Sequence, residues 1–490
     1  MKWDTNRSFL QNTSIYLSAT VITTAITFIT LPIYTRYLSP ADFGILALFL
    51  MLGTVCASIL SIGLQSASYR YYFKLKKNPE EYKIYNSTNL IFLCTVFLLA
   101  GLGIYRFANW ISAALLNNTI TGYIVTLSFL FGCLQYLFSY LTLLLTAQIK
   151  SVQFFVVNIS LAILNATFSF YFIFMHSLTY MARIYATLLA LGIQVIVLLF
   201  LTRSLLGIYF SLKTLKKSIL FSYPLLPRTI IGVIGDSVGK ILLANYSGLS
   251  SLGYYSFGQK FAHLIKIANE STSKMWGPFF MNKAQENTNE GKRSIVQRFN
   301  AIFFIIMLAG LSIIYFSEEL IKIFTTKEFY PSMYVTPIYV YLYLFGLMGM
   351  ISINQMLFAE KLLYMLPATI IGVTLNVILS LLLIPKFSEI GAAFAAAISA
   401  FGTNAIHLYF GLKAYPLPIG KLKFAGLYLL IIAFTVPIYP IIGMDLNYIL
   451  KIIIKGVLLL AFIGFGFSLN FISKEYLNKW LYRFQIKANG

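Results

Sequence analysis

The chain has 490 residues, 59% hydrophobic and 11% charged, where soluble domains carry about a quarter charged residues. With a mean hydropathy of +0.80 it is not a soluble globular protein. A net charge of +22 would suggest nucleic acid in a soluble chain, but the basic residues cluster between apolar runs, so membrane topology accounts for them and no nucleic-acid partner is expected.

A membrane span needs about twenty mostly apolar residues, and by that rule about fourteen follow in chain order. They lie near 12–34, 43–64, 88–106, 122–145, 154–175, 182–201, 223–246, 253–277, 299–317, 335–358, 367–384, 391–411, 424–442 and 452–472. The seventh and eighth are the most polar. The first run is long and lacks a small-residue cleavage site, so it reads as a retained span and not a signal peptide. Between the first two runs, RYLSPADFG (36–44) is a tight turn. There Ser39 caps, Pro40 takes the first helical position and Asp42 complements the dipole of the next helix.

The segments 69–83, 202–218, 282–298 and 413–423 and the tail from Ser473 hold most of the basic residues. With the N-terminus inside, roughly 24 Lys and Arg fall on the cytoplasmic side against roughly 7 outside. Both termini are therefore expected in the cytoplasm, with Ser39–Asp42 and Ser247–Ser251 facing outward. The three cysteines, Cys56, Cys94 and Cys133, lie in apolar runs without metal-ligand spacing and read as small core residues. No cofactor or metal motif occurs. Gly101 with Gly103, and Gly464 with Gly466, sit inside spans and read as helix-packing positions rather than nucleotide loops. Glu318, Glu319 and Glu328 read as rim residues, and the outward loops are too short for a membrane polymerase or glycosyltransferase.

The chain carries a faint internal repeat. YLSPADFG (37–44) lines up with YSGLSSLG (246–253), LLTAQIK (144–150) with MLFAEK (356–361), and Asn165 with Asn376. The offset stays at about 209–211 residues, which points to duplication. The expected architecture is all-α and polytopic: a six-helix lobe over 1–210, a second over 211–420, and a further helix pair with a tail over 421–490. Two such lobes suggest a transporter with its site between them.

Polar stripes mark the candidate site. In the first span Asn12, Tyr16, Thr20, Thr23, Thr27 and Thr30 share a face, as do Thr54, Ser58, Ser61, Gln65 and Ser68 in the second. Such stripes serve either helix packing or cavity lining. Thr23, Thr27, Ser61 and Gln65 are the cavity candidates. In the second lobe the equivalent stripes are charged. Arg228, Asp236 and Lys240 lie on the seventh span, and Lys260, His263, Lys266, Glu270 and Lys274 on the eighth. A charge at the centre of a membrane helix costs at least about 2.5–3.5 kcal/mol, so several on one face call for a hydrated cavity or mutual pairing. The cavity is the favoured reading. The sector is net cationic, which suits an anionic cargo.

The stretch 354–399, with LIPKFSEIGAA and the preceding Asn376, together with LSPADFG in the first lobe, resembles the Wzx-type polysaccharide-repeat flippases of the multidrug/oligosaccharidyl-lipid/polysaccharide exporter superfamily. The resemblance runs from Asn12 to about Leu412. It departs at Ser388 and Glu389, where the family has Gly and an apolar residue. It implies two six-helix lobes in the bacterial cytoplasmic membrane and translocation of undecaprenyl-pyrophosphate-linked oligosaccharide, with membrane lipids, H+ or Na+, and polysaccharide polymerase machinery as candidate partners. It implies no enzyme activity and transfers no site motif. A multidrug or cation antiporter and a peptidoglycan-precursor flippase of the same fold remain the alternatives.

Overall fold

The computed structural model describes residues 5–75, 78–223, 226–443, 447–468 and 471, so the tail from Ser473 lies outside the described residues. Every regular element in them is helical. In order these are α1 (Thr5–Tyr37), α2 (Pro40–Leu60), α3 (Leu64–Leu75), α4 (Pro79–Leu116), α5 (Gly122–Ala147), α6 (Ser151–His176), α7 (Tyr180–Leu201) and α8 (Leu212–Ser222). They continue as α9 (Leu226–Gln285), α10 (Asn289–Tyr315), α11 (Ser317–Phe324), α12 (Ser332–Phe358), α13 (Met365–Ala414), α14 (Lys421–Thr435), α15 (Ile438–Gly443) and α16 (Tyr448–Ser468).

Ten of these helices are long and apolar enough to cross a membrane, which makes this a multi-pass membrane protein. The fourteen expected runs all fall on helices. α13 carries two of them and bends at Ser388, while α9 carries the polar seventh and eighth and bends at Gly248. The thirteenth falls on the shorter α14 and on α15. Between α1 and α2 the expected helix start takes the form of a capping box. The Asp42 N–H donates to Ser39 Oγ at 3.2 Å, and the Ser39 N–H donates to Asp42 Oδ2 at 2.8 Å.

The described chain falls into two compact units. The first takes the chain to Ser256 with Phe324–Phe329 and Ser380–Ala392; the second takes Phe257–Ile323, Tyr330–Leu379 and the chain from Ala393. In unit 1, α2 and α5 cross where Gly53 lies against Gly132, so close that a Cβ on either would overlap the other helix's backbone. Phe324–Phe329 joins this unit through rings: Phe28 meets Phe324 at 5.8 Å and Phe43 meets Phe329 at 5.2 Å. The described parts of the basic segments 69–83 and 202–218 are folded, since α3, α4 and α8 pack together. The Gly207 N–H donates to Ser87 Oγ at 2.8 Å, and Arg70 lies over Phe221 at 4.4 Å.

In unit 2, α14 and α16 dock on α10. Phe303 stacks on Phe424 at 4.6 Å, and Phe304 on Phe462 at 5.3 Å. The Tyr428 hydroxyl donates to the Leu344 carbonyl at 2.9 Å. Beside them is a buried ion network that corrects the rim assignment of Glu318 and Glu319, which are 3% and 6% exposed. Lys455 is fully buried and donates to Glu319 at 2.6 Å, with Glu318 at 3.5 Å; Lys322 donates to Glu318 at 2.6 Å. Burial raises the Glu318 carboxyl, but the Lys322 hydrogen bond and the charges of Lys322, Lys455 and Lys451 outweigh it and hold it below the ordinary value.

The repeat is visible in the backbone. Ile149 and Glu360 both have positive φ, as do Ser177 and Ser388, each pair separated by about 211 residues. The turns around the first pair carry matching hydrogen bonds: Ile149 N–H to Thr146 O with Lys150 N–H to Leu145 O, and Glu360 N–H to Leu357 O with Lys361 N–H to Met356 O. Asn165 donates to the Thr187 hydroxyl and Asn376 to the Ser399 hydroxyl, both at 3.0 Å. Ser388, where the resembled family has Gly, sits at φ 49°, ψ −126°, a conformation that glycine adopts most readily.

Candidate functional site

In unit 1 a pocket of about 320 Å³ opens between α1, α6 and α7. Thr23, Thr27 and Thr30 line it from α1, Asn158 and Asn165 from α6, and Arg183 from α7. The three threonines recur at helical spacing, so one face of α1 presents them together. Their hydroxyls donate backwards along their own helix: Thr23 to Ala19 O at 2.9 Å, Thr27 to Thr23 O at 3.0 Å and Thr30 to Thr27 O at 3.0 Å. Arg183 Nη1 donates to Asn165 Oδ1 at 3.1 Å and to Ser169 Oγ at 3.2 Å, and its guanidinium lies 4.1 Å from the centre of the Tyr34 ring. Two helices and a ring thus hold the cation in place.

Of the expected site residues, Thr23 and Thr27 line this pocket. Ser61 and Gln65 do not line this pocket. Ser61 is buried at the C-cap of α2 and bonds to Ser58 O, while Gln65 uses its backbone N–H on the Tyr136 hydroxyl and its side-chain amide on Ser139 O. Gln65 thereby ties the start of α3 to α5. The side chain of Arg228 lies outside the described residues. Asp236 is exposed and Lys240 half-buried in unit 1.

The other charged candidates belong to unit 2. Lys260 lies over the Phe257 ring at 5.4 Å, and Lys266 meets Glu270 at 3.8 Å with both side chains open to solvent. Lys274 is exposed. His263 turns to α12, where its Nδ1 lies 3.4 Å from the Tyr343 hydroxyl; nearby Gln259 donates to the Tyr339 hydroxyl at 2.8 Å. Both side chains thus reach tyrosines of α12. Unit 2 also holds an apolar groove of about 910 Å³ between α12, the second half of α13 and α14, walled by Phe345, Phe401, Phe424 and Tyr428 among others.

Arg183, Asn158 and Tyr34 were not singled out as site residues in the sequence. Asn165 stood out only through its repeat partner Asn376. The remaining signal was an arginine in the first turn of an apolar helix, which resembles an interfacial anchor.

Residues 33–334, more than half of the chain, match the family described as Polysaccharide biosynthesis protein, and the chain belongs to that family. No curated protein matches it. Among solved structures it is similar to the lipid II flippase MurJ in an inward closed conformation, with a TM-score of 0.69, 16% identity, and coverage of 92% of this chain and 98% of that one. An inward-facing multidrug resistance MATE family transporter of the MOP superfamily matches with a TM-score of 0.65, 13% identity, and coverage of 82% and 97%. An outward-facing one gives 0.57, 14%, 83% and 95%. The chain therefore shares its fold with these flippase and transporter structures.

Proposed function

We propose that the protein is a flippase of the bacterial cytoplasmic membrane that moves undecaprenyl-pyrophosphate-linked oligosaccharide repeat units to the outer leaflet for surface polysaccharide, whether O-antigen, capsule or exopolysaccharide. The observation that carries this reading is the match to a polysaccharide biosynthesis family on a chain with the fold of a lipid-precursor flippase. The electrostatics agree with it. A pyrophosphate leaving bulk water needs cations or donors in place of its hydration, and α9 carries Lys240, Lys260, Lys266 and Lys274 against Asp236 and Glu270. The apolar groove of unit 2 has the chemistry of a lipid chain's environment. Translocation by alternating access, driven by an H+ or Na+ gradient or by the membrane potential, completes the proposal.

The likeness to multidrug transporters keeps one second reading in play, a cation antiporter. Gene deletion separates the two. A flippase deletion should strand lipid-linked repeat units in the inner leaflet and strip polysaccharide from the cell surface. Intact surface polysaccharide with new sensitivity to cationic drugs would replace the flippase by the antiporter.

A further inference from the structure

We propose that the unit 1 pocket is a subsite for an oxyanion carried on a hydroxyl-bearing sugar, with Arg183 as the anion's partner. The proposal rests on the flippase reading above and adds a chemical class to one part of the cargo. It starts from where the hydrogens point. Thr23, Thr27 and Thr30 commit their hydroxyl hydrogens to carbonyls of α1, and Asn158 commits an amide N–H to Phe154 O at 2.8 Å. What the three threonines turn to the pocket is lone pairs, and Asn158 adds its side-chain carbonyl oxygen and its second N–H. The α1 threonine face is thus rich in acceptors, with one amide on α6 that can both accept and donate, and its complement is a hydroxyl-bearing ligand.

Arg183 sets the other requirement. One nitrogen is used on Asn165 and Ser169, and Tyr34 holds the plane of the guanidinium. No carboxylate among the described residues pairs with it, and its Nε and second terminal nitrogen make no hydrogen bond to a described residue. A guanidinium held in this way presents a flat fork of donors that fits a two-oxygen anion, and it repels a cation. A polyol bearing an anion meets both demands. In a lipid-linked oligosaccharide the anion has two sources: a sugar carboxylate, or the diphosphate that joins sugar to lipid. Both share the chemistry the fork reads.

The test uses the full-length protein in detergent, with Cys56→Ala, Cys94→Ala and Cys133→Ala and a reporter Thr27→Cys in the pocket wall. Maleimide alkylation of the reporter is timed with glucuronic acid, with inorganic pyrophosphate, and with glucose or chloride at matched strength. At least one anionic probe should slow alkylation severalfold while glucose and chloride do not. Arg183→Gln should weaken that probe about ten- to a hundredfold, the range of one charge-assisted contact. Protection by glucuronic acid alone assigns the subsite to a sugar carboxylate, and protection by pyrophosphate alone assigns it to the diphosphate. Absence of protection by either probe overturns the proposal, and this arm needs no substitution of Arg183. Protection that persists in Arg183→Gln overturns it as well. Lost surface polysaccharide on deletion, without probe protection, removes the subsite and leaves the flippase reading standing. Probe protection in a protein whose deletion leaves the surface polysaccharide intact does the reverse.

Discussion

Gly253 lies against the carbonyl of Pro40 so closely that a Cβ there would overlap the oxygen, and Gly44 lies in the same way against Leu249. The two contacts exchange under the repeat offset of about 209 residues, so they are the two halves of one pseudo-twofold contact inside unit 1. Backbone meets backbone at both points, and neither side can yield by changing a rotamer. Gly253→Ala and Gly44→Ala should each destabilise the protein by about 1–3 kcal/mol, the usual range for overpacking. Gly103→Ala, with nothing within 4 Å of the added methyl, is the control. Thermal unfolding in detergent measures the difference, and equal melting temperatures for all three variants would refute the contact.

Ser388 offers the opposite change. A side chain at φ 49°, ψ −126° carries backbone strain that glycine relieves, so Ser388→Gly should stabilise by about 1–2 kcal/mol. A melting temperature that falls instead would mean that the serine side chain holds the bend in α13.

The ion network of α11 and α16 should respond unequally to single and paired changes. Lys455→Met leaves the Glu319 carboxylate buried without its 2.6 Å partner, and breaking a buried pair costs about 3–5 kcal/mol. Adding Glu319→Gln should recover part of that loss in a double-mutant cycle. A paired variant no better than Lys455→Met alone would show that the two side chains are not coupled.

Glu318 gives the same network a pH dependence. Its folded-state carboxyl lies below the ordinary value, so the unfolded chain takes up the proton first as pH falls. The stabilisation is complete above the unfolded value of about 4.3 and is lost as pH drops through the lowered folded value. Glu318→Gln should flatten the acid limb of the stability profile; a limb of unchanged steepness would place the acid sensitivity elsewhere.

Orientation is open to direct labelling. If the basic segments are cytoplasmic, a membrane-impermeant maleimide should reach Ser250→Cys in intact cells and Asn289→Cys only after lysis. Both positions are exposed. The reversed pattern would invert the topology.

The spans and the helix start at Ser39 were legible because each follows a local rule: apolar length in one case, a four-residue cap in the other. The anomaly at Ser388 was legible too, as a serine in a glycine's place. For Ser61 and Gln65, helical spacing says that they share a face and not which neighbour that face meets, so the bonds of Gln65 to Tyr136 and Ser139 could not be read in advance. The Arg183 pocket draws on α1, α6 and α7, and α1 is separated from the other two by more than a hundred residues of chain. Nothing local in Thr27 or Arg183 announces the other.

The buried lysines of α16 also bear on how the chain is made. Lys455 and its partner Glu319 are separated by 136 residues of synthesis. Until α16 arrives, Lys322 is the one described cation paired with α11, and it answers Glu318. α16 in turn enters the bilayer with Lys451 and Lys455 in its first eight residues, and a lysine costs more the nearer it lies to the centre of a span, up to about 2.5–3.5 kcal/mol there. Its stable insertion therefore depends on a template laid down earlier in translation. A chain stopped short of α16 would leave the Glu319 carboxylate without the lysine that answers it.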